Sequence, residues 1–224
     1  MPLRYLQGAQ QYRIGDVIEV QASRNPSDNR PESFRVNPDS IEIVDRVKPD
    51  QNEWAARRAW VFRDLSWHYG GLADLDVARR ADGTSVGLIR PGVVERVYLR
   101  AKPAAARGEF EAKWLAVTSQ VDLFLPEYKN LEYLPMELRI VWRCSTPCET
   151  CAVKPHDMQV LDWGLLELAR RQGEWEKARR KLEEISDLTR HDFRMFIGNF
   201  FLHQHVWGVI GLWYPKLQLQ RSLL

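Results

Sequence analysis

The chain has 224 residues, of which 45% are hydrophobic and 28% charged, a balance that suits one large folded domain or two small ones and excludes disordered, collagen-like and low-complexity classes. Its 32 basic and 30 acidic side chains leave a net charge of +2, too small for a protein that coats nucleic acid by bulk attraction. The longest apolar run, residues 206–214, has nine residues where a membrane-spanning helix needs about 20, and the opening MPLRYLQGAQQYRIGD lacks the parts of a signal peptide, so a cytoplasmic protein with no membrane partner is expected.

Residues 12–20, 33–36, 40–47, 93–101, 110–117, 120–125 and 136–142 read as strands. They are short, rich in β-branched or aromatic residues, often alternating, and separated by Pro, Gly, Asn or Asp. Residues 25–31 form a turn-rich loop, and 102–108 an exposed connection. Residues 53–65 suit a helix, although Trp60, Val61 and Phe62 would serve equally well as strand. So many short strands at this spacing point to one or two small barrels over residues 1–143. Beyond Trp142 the pattern changes. Met158, Leu161, Leu165, Leu168 and Ala169 recur on one face of a helix that starts near Asp157 and stops at Gly173. Trp175, Ala178, Leu182 and Ile185 line a second helix. Residues 193–198 and 206–214 then read as strands, the latter apolar on both faces and therefore internal to a sheet or covered by a protein partner.

The chain's basic character is local. Residues 54–107 carry ten basic and five acidic side chains, and arginine outnumbers lysine 24 to 8. A guanidinium stacks on aromatics and grips phosphate with two parallel hydrogen bonds. Trp54, Arg57, Arg58, Trp60, Arg63 and Trp67 interleave in a pattern that serves either as a stacking platform for single strands or as ordinary core.

The most specific chemistry lies in Cys144-Ser-Thr-Pro-Cys148-Glu-Thr-Cys151-Ala-Val-Lys-Pro-His156, which holds all three cysteines of the chain. Zinc takes four thiolate or imidazole donors in a tetrahedron, and spacings of two to four residues let one loop turn them onto a single ion. Cys144, Cys148, Cys151 and His156 are therefore the expected ligands of a structural Zn2+ with no open position. A redox pair at Cys148 and Cys151 is the alternative, but no preceding β-α-β pattern of the thioredoxin type is visible.

An enzymatic reading rests on Asp157, Asp162, His203 and His205, since carboxylates with histidines can bind a divalent ion and activate water for phosphodiester cleavage. His203 and His205 share a face if that segment is extended. Each also has a plainer role: Asp157 as a helix N-cap, Asp162 as an acceptor near Trp163, and the histidines in a turn. No P-loop, GxGxxG, HExxH, EF-hand or nucleophile-elbow pattern occurs in the sequence.

The stretch CAVKPHDMQVLDWGLLE from Cys151 to Glu167, with Phe196-Ile-Gly-Asn199 and Trp207-Gly-Val-Ile-Gly-Leu-Trp-Tyr-Pro215, resembles an uncharacterised group of prokaryotic proteins. In that group a Cys/His element runs into a helix and two strands follow. Ile14-Gly-Asp-Val-Ile-Glu-Val20, Pro31-Glu-Ser-Phe34 and Trp114-Leu-Ala-Val-Thr-Ser119 look like the dual-OB-containing domain of bacteria and archaea. The resemblance implies OB-like barrels in front and a zinc-associated α/β element behind, with no established activity. Gly164 stands where the pattern usually has an acid, and Pro215 is single where it has two prolines.

The expectation is thus an α+β protein, with OB-like barrel or barrels over 1–143 and a zinc loop, two helices and a strand pair over 144–224. The leading function is a non-enzymatic nucleic-acid-binding or adaptor protein for DNA or RNA, single-stranded by preference. Arg57, Arg58, Arg63, Arg79 and Arg80 would meet phosphates while Trp54, Trp60 or Trp67 stack on bases. The alternatives are the metal-dependent nuclease using Asp157, Asp162 and a histidine, and a scaffold subunit docking through residues 206–214.

Overall fold

A computed structural model describes residues 11–47, 54–118, 132–146 and 148–217. The N-terminal strands β1 (Asp16–Glu19), β2 (Ala22–Arg24), β3 (Phe34–Val36) and β4 (Glu42–Arg46) form two antiparallel ribbons, β1 with β4 and β2 with β3. Next come α1 (Ala55–Val61), β5 (His68–Tyr69), α2 (Leu72–Asp82), β6 (Val86–Ile89), β7 (Pro91–Ala101), α3 (Ala105–Thr118) and β8 (Met136–Cys144). The chain continues through α4 (Glu149–Val153), β9 (His156–Val160), α5 (Trp163–Gln172), α6 (Trp175–Ile185), β10 (Arg194–Phe200) and β11 (His203–Trp213). β5 to β11 make one seven-stranded sheet in the order β5-β6-β10-β11-β9-β8-β7.

The class is α+β, but no closed barrel forms among the described residues: the expected barrel strands are divided between the open sheet and the two ribbons. That sheet takes strands from both sides of residue 143, so the division expected there falls inside it. Residues 110–117, read as strand, lie in α3; Ala105, Ala106, Glu111, Ala112, Lys113 and Leu115 are strong helix formers and outweigh the aromatic content. The helix expected to begin near Asp157 is in fact strand β9 followed by α5, whose N-cap is Asp162. α2 went unread in the sequence. The expected strand at 120–125 lies outside the described residues. Residues 206–214 do fall largely in β11, flanked on both sides by β10 and β9. No described helix is long and apolar enough to cross a membrane.

The two faces of the sheet are covered differently. Leu138, Ile140, Trp142 and Cys144 of β8 are buried on one face, as two-residue alternation requires. There they join Val97, Met158, Val160, Met195, Ile197 and Val209 in one core with Leu75 of α2, Leu165 of α5 and Leu182 and Ile185 of α6. On the opposite face, the β7–β8–β9 end carries a lattice of charge. Arg100 and Arg139 both bond Glu137, while Arg139 and the Tyr98 hydroxyl both bond Asp157. At the other end Trp67 stacks on Phe196 at 5.4 Å, and Phe62 meets Trp213 edge-on at 5.6 Å.

The turn-rich loop near residue 28 fastens the ribbons to this sheet. Arg30 holds Asp28 at 2.6 Å and also donates to the Asn199 carbonyl at 3.1 Å. Glu32 accepts from the Ser85 hydroxyl at 2.6 Å and from its N–H at 3.2 Å. The Arg30 guanidinium beside it holds the Asp28 carboxyl well below the usual carboxylate range despite desolvation.

Leu138 has no exposed surface, so Leu138→Ala should cost about 2–5 kcal/mol through lost burial and a cavity. Val77→Ala, on the exposed side of α2, should stay within about 0.5 kcal/mol. Denaturant midpoints at constant slope would check both.

Candidate metal centre

Pairing between β8 and β9 sets Trp142 opposite His156, with their rings 4.7 Å apart. Cys144 lies two residues beyond Trp142 on the same face, because side chains alternate along a strand. The chain then turns through α4, a single short helix capped by Cys148. Its cap is reciprocal: the Cys148 N–H donates to Cys151 Sγ at 3.2 Å, and the Cys151 N–H donates to Cys148 Sγ at 3.3 Å. Arg143 reaches across to the Cys151 carbonyl and ties the turn to β8.

The ligating atoms of Cys144, Cys148, Cys151 and His156 all lie within 4.8 Å of one another. Cys144 Sγ is 3.8 Å from Cys148 Sγ and 3.4 Å from His156 Nε2; Cys148 Sγ is 3.0 Å from Cys151 Sγ and 3.7 Å from His156 Nε2. Cys144, Cys151 and His156 are buried. This is a donor set that can hold a metal ion, with the four residues expected from the sequence.

The surroundings shift the protonation of Cys144, Cys151 and His156. Burial pushes the Cys144 thiol up to about 12, against the pull of the Leu72 N–H. Burial also raises Cys151, but hydrogen bonds from Cys148 and Cys144 outweigh it and bring that thiol down to about 7. Burial, helped by the charge of Arg143, lowers the His156 pKa, which keeps the imidazole neutral and able to ligate.

A contribution missed in the sequence comes from α2. Its first N–H, from Leu72, is directed at the Cys144 sulfur, where the positive end of a helix favours thiolate. A Cβ on Gly71 would stand 2.8 Å from that sulfur, so the approach needs glycine. The readable signal was Gly70-Gly71 directly before Leu72, Leu75 and Arg79 at helical spacing.

The other expected site residues are scattered. Asp157, on the outer face of β9, is spent on Tyr98 and Arg139. Asp162 caps α5, while the rings of His203 and His205 lie 6.2 Å apart at the start of β11. The Cys3His set is the one group of three or more such donors gathered among the described residues. Arg79 and Arg80 both pair with Asp76, and Arg58 with Asp192. Trp67 is packed on Phe196 and donates to the Asp64 carbonyl. Trp54 leans on Trp213 and Tyr214, and Arg57 lies over its ring. Trp60 is 51% exposed, with Arg63 6.0 Å from its ring.

These features define an α+β protein built on one mixed sheet, with a corner where four donors that could hold a metal ion come together. The chain belongs to the family of the domain of unknown function DUF8757, whose model matches residues 71–224. A second model, the domain of unknown function DUF8758, matches residues 1–63. No curated protein and no solved structure matches the chain.

Because a Cβ at residue 71 would press on the Cys144 sulfur, Gly71→Ala should destabilise the fold by about 1–3 kcal/mol. Gly108→Ala meets nothing within 4 Å and lies inside α3, so it should be neutral or stabilising. Thermal melts of the two variants would test this contrast.

Proposed function

We propose that the chain is a zinc-clasped, non-enzymatic binding protein that takes single-stranded nucleic acid. The observation that carries the zinc reading is the donor geometry. Tetrahedral zinc with bonds of about 2.3 Å to sulfur and 2.0–2.1 Å to nitrogen sets neighbouring donors about 3.5–3.8 Å apart. The Cys144–Cys148 separation of 3.8 Å matches the upper value, and the Cys144–His156 and Cys148–His156 separations of 3.4 and 3.7 Å lie within about 0.2 Å of the lower one. The Cys148–Cys151 pair, at 3.0 Å, would open slightly around an ion. Four protein ligands leave no position for water or substrate, so the ion's work is structural. It would join β8, α4, β9 and the start of α2.

The nucleic-acid reading is supported by the exposed Trp60 with Arg63 beside it, a flat ring and a cation of the kind that hold a base and its phosphate. Arg57 is the further arginine of this group without a carboxylate partner among the described residues. The nuclease reading is weaker, since Asp157 already serves Tyr98 and Arg139 and Asp162 serves as a cap. A scaffold role would have to use Val206 and Ile210, the exposed apolar residues of β11.

Protein purified without chelator should carry one zinc per chain by elemental analysis, and Cys148→Ser should lose it. Chelation should lower the thermal midpoint by on the order of 10 °C. Wild-type protein free of zinc and equally stable would overturn the clasp. Binding to a labelled single-stranded oligonucleotide should fall with salt, and Arg63→Ala should reduce the logarithmic salt slope by about 1. Absence of binding to both DNA and RNA at low salt would remove the nucleic-acid reading.

A further inference from the structure

A cavity of about 390 Å3 lies between the β1–β4 ribbon, α1 and the end of β11, within the roughly 300–1,000 Å3 of small-molecule sites. Trp54, Trp60, Trp213 and Tyr214 give it aromatic walls, and Arg57 and Asp162 line it with opposite charges. The Arg57 Nε is buried with no hydrogen-bond partner, which is costly for a cation's donor unless an acceptor arrives. The Asp162 carboxylate caps α5, accepting from the Leu165 N–H at 3.0 Å and also from the Gly164 and Leu212 N–H groups, so a ligand donor would share its remaining lone pairs. Neither charge forms an ion pair with the other, although both act on the Tyr214 hydroxyl.

The wall itself is strained. Trp54 holds φ 64° and ψ 27°, left-handed backbone that a bulky side chain rarely adopts and that tends to persist at ligand clamps. Its ring is fixed edge-on against Tyr214 at 4.8 Å and Trp213 at 5.2 Å.

A planar ligand that donates along one edge and accepts along another fits this combination. We propose that the cavity binds a guanine base, stacked on the tryptophans, with its N1–H and 2-amino group donating to the Asp162 carboxylate and its O6 and N7 accepting from Arg57. Arginine to guanine O6 and N7 is a favoured pairing. Adenine would turn an N1 lone pair toward the carboxylate and lacks the 2-amino group. The proposal deepens the single-strand reading above, and the same chemistry would also take a free guanine nucleotide.

Quenching of tryptophan emission would test it, with guanosine, adenosine and cytidine monophosphates as probes beside an eight-residue oligothymidylate with and without one guanine. Guanosine monophosphate should bind at least about 10-fold tighter than adenosine monophosphate. Asp162→Asn should weaken guanosine binding by a similar factor while keeping the fold, because asparagine caps a helix as well as aspartate does. Arg57→Met, which keeps the aliphatic stem, gives an independent second reading. Tighter binding of the guanine-containing strand than of the nucleotide identifies a strand as the source; equal binding identifies the free nucleotide. Guanine and adenine binding within about 2-fold, or full guanosine affinity in both variants, would overturn the proposal. Salt-sensitive binding of plain oligothymidylate without guanine preference would sink this pocket and leave the single-strand reading standing. Guanosine binding without any strand binding would do the reverse.

Discussion

Register between two neighbouring strands decides whether the Cys3His donors can meet at all. With Trp142 paired to His156, the imidazole falls on the same face as Cys144, and a slip of one residue would send it to the charged outer face. The span from Cys144 to Cys148 and the one-turn helix α4 then return two more thiols to the same spot. Trp142 is fully buried against the histidine ring, so a one-residue slip of β8 would carry its large side chain out of the core. The same face receives Leu75, Leu165, Leu182 and Ile185, so the donor cluster is an extension of the hydrophobic core. Its chemistry and the packing of the helices share one surface.

The opposite face solves a different problem. Only part of it receives apolar cover, from the aromatic residues of α1 and the segment after it. The rest is occupied by arginine–carboxylate contacts between adjacent strands. Partly exposed pairs of this kind are individually worth little, but they keep the polar groups of this face satisfied. The N-terminal ribbons close over the aromatic end and are moored through Arg30 and Glu32 to Asn199 and Ser85. The cavity beside Trp54 exists because the β1–β4 ribbon bridges that end without filling it.

The Cys3His cluster was legible because three of its members are the chain's only cysteines and the fourth lies five residues further on. α6 was equally plain, its apolar side chains falling at helical intervals between charged ones. The strand β9 was hidden because Met158 and Leu161 happen to continue the spacing of Leu165 and Ala169 backward; alternation of buried His156, Met158 and Val160 was the competing signal. α3 was misread because Phe110, Trp114 and Val117 gave a β-like composition to a segment whose other residues favour helix. Strand pairing decided the rest. β6 lies next to β10, more than a hundred residues away in the chain, and short strands with turns between them look alike whether they close a barrel or join an open sheet. Arg57 and Arg63 keep their tryptophan neighbours, whereas Asp76 and Asp192 claim the guanidinium groups of Arg58, Arg79 and Arg80.

β7 is the sheet's last strand among the described residues, eleven residues long, and no other described strand pairs with its outer side. Such a ribbon of unpaired backbone invites a second molecule to add itself and begin a chain of copies. Two irregularities in its pairing with β8, near Val93 and near Glu95, bend the line that an intruder would have to follow. Arg96 and Arg100 stand exposed along it, so an identical strand arriving there would bring its own positive charges to a border that already carries them. The β7–β8 pair that supplies Cys144 thus sits at the margin of the sheet behind features that disfavour the addition of a second copy.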